Sequence, residues 1–460
     1  MSNTKLLLYN WDPIAGPAGG GVTEYIKEMI PLLIRKKYKL FFLNAGRKYD
    51  SSGKIRIEKR ENIFGEDVDS YEVINSPILS PGNQSIKNIR HYLEDELLAE
   101  TIKKFVDDVG GFDIIHIHNL EGLSLRTLQL KEQYPNTKFI YTFHNYFPIC
   151  TQVNLWMKDE KKCDTKDYSL CAKCYQKANY DLTRFRFEHI DIPELKRIFM
   201  EYSKENPDED DKSIYRTYRE KNIEYFNKYI DVILAVSGKT HKIITEAGIL
   251  NTKSRVCYVG TEVAKKQKRR RIKVGQDETL NIVYMGYMRK EKGFDFFIET
   301  LKNMPDCLSA KIKVTIVSRH IRDNLEIVDA LEIIKYKYAE VCLINGYKDY
   351  MELESILKEQ HLGVIPVLWE DNLPRVAIEQ MAMGVPLLTS NLGGAAELGG
   401  NNPDFVFRAG DETDFLLKLS KIESCRWLLD EYWEHAIQLV TMQEHVNELD
   451  KIYLEVIDES

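Results

Sequence analysis

No run of apolar residues in this chain approaches the ~20 that a helix needs to cross a membrane, so a membrane-spanning protein is not expected. An excess of basic charge is also missing. The 64 Lys and Arg are outweighed by 71 Asp and Glu, and a net charge of −7 argues against general nucleic-acid binding. The opening residues, Met1-Ser2-Asn3-Thr4-Lys5 before Leu6-Leu7-Leu8-Tyr9, hold too short an apolar run for a secretory leader and no small-residue cleavage site, so they read as a first strand. Cysteine is sparse, eight residues in 460, and four of the eight crowd between Cys150 and Cys174, which excludes a disulfide framework and suggests a local metal or thiol site. Internal repeats and low-complexity tracts are absent. A cytoplasmic protein is expected. With 43% hydrophobic and 29% charged residues, the 460 residues are those of an ordered globular chain, too long for one ordinary core.

What is present is a strand-helix-strand alternation. Apolar runs suited to buried parallel strands recur at Leu6–Asn10, Leu40–Leu43, Asp113–His118, Phe139–Phe143 and Asp231–Val236. Between the first two, Ile26, Met29, Ile30 and Leu33 follow Val22 at steps of three and four, the stripe of a helix lying on a sheet. A second series comprises Asn281–Met285, Lys313–Val317, Val341–Ile344, Leu362–Val367 and Pro386–Thr389. The polar, aperiodic stretch at 265–278, opening with the basic run Lys265–Arg271, separates the two as a linker. The expected organisation is therefore an α/β domain over 1–264 with an insertion at about 150–227, a linker, a second α/β domain over 279–426, and a helical segment over 427–460 that packs back across the domain junction.

Four segments carry chemistry. Gly19-Gly20-Gly21 follows the first strand and opens a helix, where free amides and the helix dipole attract a phosphate; a purely steric tight turn explains the glycines equally well. Gly286-Tyr287-Met288-Arg289-Lys290-Glu291-Lys292-Gly293 places basic residues at the carboxyl end of a strand, where ligands bind in open α/β sheets and a cation neutralises a diphosphate. In Trp369–Pro386, Asn372 is expected to cap a helix with Pro374 in its first turn and an end at Gly384, so that Asp371 and Glu379 offer carboxylates to hydroxyl groups while the helix start offers amides to an anion. Leu392-Gly393-Gly394-Ala395 repeats the phosphate-loop logic. Neither glycine turn forms the full spaced fingerprint of a dinucleotide oxidoreductase.

The order of these segments, with Ala235-Val236-Ser237, Tyr258-Val259-Gly260-Thr261 and Phe405 to Asp411, resembles the glycosyltransferase family 4 group of retaining GT-B enzymes. The resemblance implies two Rossmann-like domains whose parallel sheets face a central cleft. It implies transfer of a sugar from a nucleotide-sugar donor to a saccharide or lipid-linked acceptor, with no metal or other cofactor required for catalysis. Carried over, Asp371 lies near the donor sugar and Glu379 at the ribose, with Lys292 on the diphosphate. Tyr287 stands where an arginine is usual, and Arg289 is a nearby substitute charge. Gly20, Gly21, Pro374, Gly393 and Gly394 complete the donor set, and His144 faces the acceptor and the reaction centre. His116 and His118 are expected to be structural.

The Cys171-Cys174 pair has the two-residue spacing zinc favours, and Cys150 and Cys163 would close a tetrahedral structural site; reduced, unligated thiols are the alternative. The acidic run Asp208–Asp211 reads as a solvated turn. The Lys265–Arg271 run reads as a soluble linker, with peripheral contact to the inner membrane face as the competing use. The function that follows is retaining glycosyl transfer in polysaccharide or glycoconjugate biosynthesis. The alternatives are a non-catalytic nucleotide-sugar binder and a nucleotide-sugar epimerase or hydrolase on the same fold.

Overall fold

The computed structural model describes residues 4–15, 20–78, 80, 86–157, 161–164, 170–171, 174, 186–187, 213–268 and 274–458. The chain forms two compact units, Met1–Val259 with Met442–Ser460, and Gly260–Thr441. Trp427–Thr441, grouped with the terminal helix at the sequence level, belongs to the second unit. Among the described residues no helix is long and apolar enough to cross a membrane.

In the first unit the strands are β1 (Lys5–Tyr9), β2 (Lys39–Tyr49), β3 (Arg56–Arg60), β4 (Val68–Ile74), β5 (Ile114–Ile117), β6 (Lys138–Phe143), β7 (Trp156–Met157), β8 (Lys161–Lys162), β9 (Arg186–Phe187), β10 (Val232–Ala235) and β11 (Ser254–Val256). The main sheet runs β11-β10-β6-β5-β1-β2-β4-β3, and β9 pairs with β2. Every pairing along it is parallel except β3 with β4. The sequence reading missed that antiparallel pair, whose strands are polar and half-exposed at Arg56–Arg60.

The parallel strands bury side chains on both faces, because alternate residues point to opposite sides. Leu7 and Tyr9 of β1 join one core cluster with Phe41, Leu43, Phe139 and Tyr141. Leu6 and Leu8 join the other with Leu40, Phe42, Ile114 and Ile140. Helix α1 (Gly21–Arg35) covers the second face with Ile26, Met29, Ile30 and Leu33, each 0% exposed. At ~1.5–3 kcal/mol for each buried side chain, that stripe contributes about 6–12 kcal/mol of gross hydrophobic stabilisation. Helices α2 (Ile86–Glu94), α3 (Glu96–Asp108) and α4 (Ser213–Tyr229) supply the first face.

Parallel neighbours β6 and β10 need a crossover connection, and α4 provides it. Ser213–Asn227, placed in the insertion at the sequence level, is thus part of the regular alternation. The acidic run Asp208–Asp211 lies outside the described residues. Helix α5 (Gly238–Glu246) then links β10 to β11, with Ser237 capping it by accepting the Thr240 amide.

The second unit is a six-stranded parallel sheet, β14-β13-β12-β15-β16-β17, from β12 (Leu280–Met285), β13 (Ile312–Val317), β14 (Glu340–Ile344), β15 (Leu362–Ile365), β16 (Leu387–Ser390) and β17 (Val406–Phe407). Its helices include α6 (Phe294–Asn303), α7 (Arg375–Ala382), α8 (Ala395–Leu398) and α9 (Glu412–Ser424). The chain then returns to the first unit as α10 (Met442–Asp458), whose Met442, Val446, Leu449, Ile452 and Tyr453 enter the same core cluster as α1.

Candidate functional site

In an open parallel sheet, ligands bind beyond the carboxyl ends of the strands where the strand order reverses. In the second unit the reversal falls between β12 and β15, because β13 and β14 lie on one side of β12 and β15, β16 and β17 on the other. The two loops leaving that point carry the predicted basic and acidic segments. After β12 the chain makes one tight turn at Lys290–Lys292 and passes through Gly293 at φ 73°. A Cβ there would lie 1.7 Å from the Pro366 carbonyl oxygen, so only glycine lets this loop lie against the exit of β15. The Leu368 amide donates to the Glu291 carbonyl at 2.9 Å and ties the loops together.

That juxtaposition brings Lys292 to Asp371. The ammonium donates to the carboxylate at 2.6 Å and sits 4.9 Å from the centre of the Trp369 ring. The lysine side chain is 26% exposed and the carboxylate 10%, so the pair is accessible on the cation's side and sheltered on the anion's. A third loop, after β16, closes under it. Gly393, at φ 70°, has no room for a Cβ, which would meet the Asp371 carbonyl oxygen at 2.1 Å. Its amide donates to the buried Glu370 carboxylate at 2.9 Å, and the Gly394 amide donates to the Asp371 carbonyl at 2.8 Å. Gly393 and Gly394, expected as a phosphate loop, here pack against the acidic loop. Their amides are occupied in holding the acidic loop, and α8 is a single turn.

The helix carrying Glu379 also starts differently from expectation. Pro374, with φ −68° and ψ 125°, is the N-cap of α7, no side chain caps the helix, and Asn372 does not serve as its cap. The extended backbone of Pro374 places the helix start after Pro374 instead of after Asn372, and proline itself has no N–H to offer an anion. Gly384 follows the helix at φ 81° and ends it as expected. Glu379 is buried at 3% exposure. It accepts from the Tyr347 hydroxyl at 2.5 Å and from Arg375 Nε at 3.2 Å, while Arg375 also donates to the Tyr350 hydroxyl at 2.6 Å. Burial, then the Glu379 charge, holds the Tyr347 hydroxyl far above its ordinary pKa, so it remains a donor.

Arg375, one turn before Glu379 on α7, was legible as a helical neighbour; Tyr347, 32 residues away, carried no sequence signal. Tyr287 is 55% exposed, Arg289 lies 5.3 Å from its ring centre, and the same guanidinium approaches Glu291 at 3.7 Å. Among the lysines of the basic run, Lys265 pairs with Glu262, and Lys266 and Lys268 pair with Glu354. Arg269–Arg271 lie outside the described residues.

In the first unit the strand order reverses between β1 and β5. Gly20 and Gly21 open α1 beyond β1, and a Cβ on either would meet nothing within 4 Å. Gly20 has an ordinary φ of −69°, so neither backbone conformation nor internal packing requires glycine there. Gly19 lies outside the described residues.

Beyond β5 and β6 a group of four histidines gathers. His144 Nε2 and His118 Nδ1 are 3.2 Å apart. The Tyr25 ring packs 5.0 Å from His144, 5.6 Å from His118 and 5.3 Å from His445 of α10, and its hydroxyl lies 2.6 Å from His445 Nε2. His116 is fixed between the Tyr453 hydroxyl at 2.6 Å and Thr142 Oγ1 at 2.8 Å, which accords with a structural role. Burial drives all four imidazoles toward the neutral form. His144 falls to about 3 and His445 to about 4, while His116 and His118 lie well below their ordinary value, with neighbouring imidazoles adding to the effect for all but His445. His144 is thus a neutral ring, one nitrogen donor and one acceptor, near pH 7.

The chain is 27% identical over 176 residues to an uncharacterized 41.2 kDa protein in the cps region of Klebsiella pneumoniae, covering 37% of this chain and 46% of that one. It is 30% identical over 130 residues to an uncharacterized glycosyltransferase of Methanocaldococcus jannaschii, covering 28% and 32%. It therefore spans less than half the length of the curated relatives it matches. Three solved structures share the fold: a glycosyltransferase from Rickettsia africae (TM-score 0.61, 14% identity, 100% of both chains), Anabaena HepE in complex with UDP and glucose (0.56, 12%, 98% and 99%), and trehalose-6-phosphate from E. coli bound with UDP-2-fluoro glucose (0.56, 14%, 98% and 99%). The fold is the two-domain GT-B fold, and residues 279–424, which hold Lys292, Asp371 and Glu379, match the family described as Glycosyl transferases group 1.

Proposed function

We propose that this protein is a retaining glycosyltransferase of family 4 that moves a sugar from a nucleotide-sugar donor, a uridine diphosphate sugar in the first instance, to an acceptor hydroxyl. The observation that carries the reading is the Lys292–Asp371 pair at the strand-order reversal of the segment that matches group 1 glycosyl transferases. A lysine held 26% exposed by a carboxylate and an indole face is a positioned cation for a diphosphate. Lys292 would stabilise charge growing on the leaving diphosphate, with Arg289 as a second cation on the same loop. Asp371 would lie beside the sugar, and Glu379, oriented by Tyr347 and Arg375, would accept from ribose hydroxyls. Pro374, Gly393 and Gly394 would shape the donor pocket without offering amides to it. Gly20 and Gly21, where the chain makes no demand for glycine, would admit close approach of a ligand to the α1 backbone.

In the reaction the bond from the anomeric carbon to the diphosphate oxygen breaks. The acceptor oxygen bonds to the same face of that carbon, and its proton passes to the departing phosphate oxygen. His144, neutral at physiological pH, would hydrogen-bond the sugar or acceptor at this centre instead of delivering a proton. The reading extends to polysaccharide or glycoconjugate biosynthesis, with a saccharide or lipid-linked acceptor at the cytoplasmic face of the membrane, as the family resemblance implies.

Calorimetric titration of the whole protein with uridine diphosphate sugars tests this reading. Binding is expected, and Lys292→Ala should weaken it by roughly 10- to 100-fold, the equivalent of ~1.5–3 kcal/mol for a charged hydrogen bond. Affinity unchanged in that variant, or no binding of any nucleotide sugar, would overturn the assignment. Binding without turnover across a panel of acceptors would favour the non-catalytic alternative.

A further inference from the structure

Outside both strand-end sites, the first unit holds a cavity of about 30 Å³ in which half of the chain's cysteines meet. Cys150, Cys163, Cys171 and Cys174 all line it, although they are spread over 25 residues of sequence. A space of that size admits an ion or a water or two, and no organic cofactor. Among the described residues the lining contains no His, Asp or Glu, and its one charged residue is Arg219. The other four cysteines are elsewhere in the chain.

The local backbone is built around the sulphurs. The segment after Cys150 turns back on itself through Val153 at φ 73° and Leu155 at φ 51°. A β-branched residue and a leucine in the left-handed region are costly and persist where the surroundings require them. That turn folds the backbone of Gln152 and Leu155 back beside the Cys150 sulphur. The antiparallel pairing of β7 with β8 then brings Cys163 alongside, with its amide donating to the Leu155 carbonyl at 2.8 Å. Cys174 Sγ lies 3.9 Å from the Trp156 carbonyl of β7.

We infer that Cys150, Cys163, Cys171 and Cys174 bind a single structural zinc ion that cross-links residues 150–174, the segment after β6, beside α4. Four soft thiolates with no carboxylate or imidazole among them select a thiophilic ion and leave no open position for catalysis. The site would carry a net charge of −2, and Arg219, anchored by its Nε–H to the Ile149 carbonyl at 2.8 Å, stands beside it as the compensating cation. Among the described residues no three His, Cys, Asp or Glu side chains are yet close enough to hold an ion. Binding therefore requires the four thiols around the cavity to close in, which couples the metal to the order of the surrounding chain.

The test is metal analysis of the full-length protein, purified under reducing conditions, by inductively coupled plasma mass spectrometry. About one zinc per chain is expected, falling below about a fifth of that in both Cys171→Ser and Cys174→Ser. As a readout independent of variant folding, wild-type protein reconstituted with cobalt should show the thiolate-to-metal charge-transfer and tetrahedral ligand-field bands of a four-sulphur site. Absence of stoichiometric zinc together with absence of those bands would overturn the proposal. So would peptide mapping of unreduced protein that finds two of the four cysteines joined as a disulfide.

Discussion

Acidifying the protein should unfold its first unit well before its carboxylates titrate. His116, His118, His144 and His445 are forced to stay neutral in the folded chain, mainly by burial. In the unfolded chain each takes a proton near pH 6.5. The folded pKa values are the depressed ones, so the folded chain binds fewer protons, and the stability present above pH 6.5 is lost as pH falls toward 4 for His445 and 3 for His144. Between pH 7.5 and pH 5 each such imidazole forfeits about 2 kcal/mol, so four forfeit about 8 kcal/mol, against a whole stability of ~5–15 kcal/mol. Urea unfolding at pH steps between 7.5 and 5, read by pulse proteolysis of first-unit peptides, should give a slope approaching ~5 kcal/mol per pH unit. His445→Gln should reduce that slope by about a quarter. A slope equivalent to less than one proton would refute the argument, because it would mean the histidines find a way to charge inside the fold.

Two further substitutions probe the packing that positions the sites. Gly293→Ala forces a Cβ to 1.7 Å from the Pro366 carbonyl at a residue with φ 73°; a loss of ~3 kcal/mol or more is expected, seen as a fall of roughly 6–12 °C in the second unit's melting temperature. Tyr453→Phe leaves His116 Nδ1 without the hydroxyl at 2.6 Å; urea titration at pH 7.5 should show a cost of ~1–3 kcal/mol, with the second unit's transition unmoved.

Much of the fold follows from local pattern. The alternation along Leu6–Tyr9, Leu40–Leu43 and Phe139–Phe143 sends successive side chains to two separate core clusters, so a strand buried on both faces is written into the run itself. The stripe at Ile26, Met29, Ile30 and Leu33 likewise specifies which side of α1 meets the sheet. Lys292, Asp371 and Glu379 could be singled out because residue type and position after a strand are sequence properties. Tertiary structure decided what these groups touch. Lys292 meets Asp371 across 79 residues, and Tyr25 meets His445 across 420. The amides of Gly393 and Gly394 are engaged by Glu370 and Asp371, and Asn372 gives way to Pro374 at the start of α7. A sequence determines periodicity because side-chain direction repeats locally along a strand or helix. It does not determine partners, because which loops converge at a strand-order reversal depends on how the whole sheet is assembled.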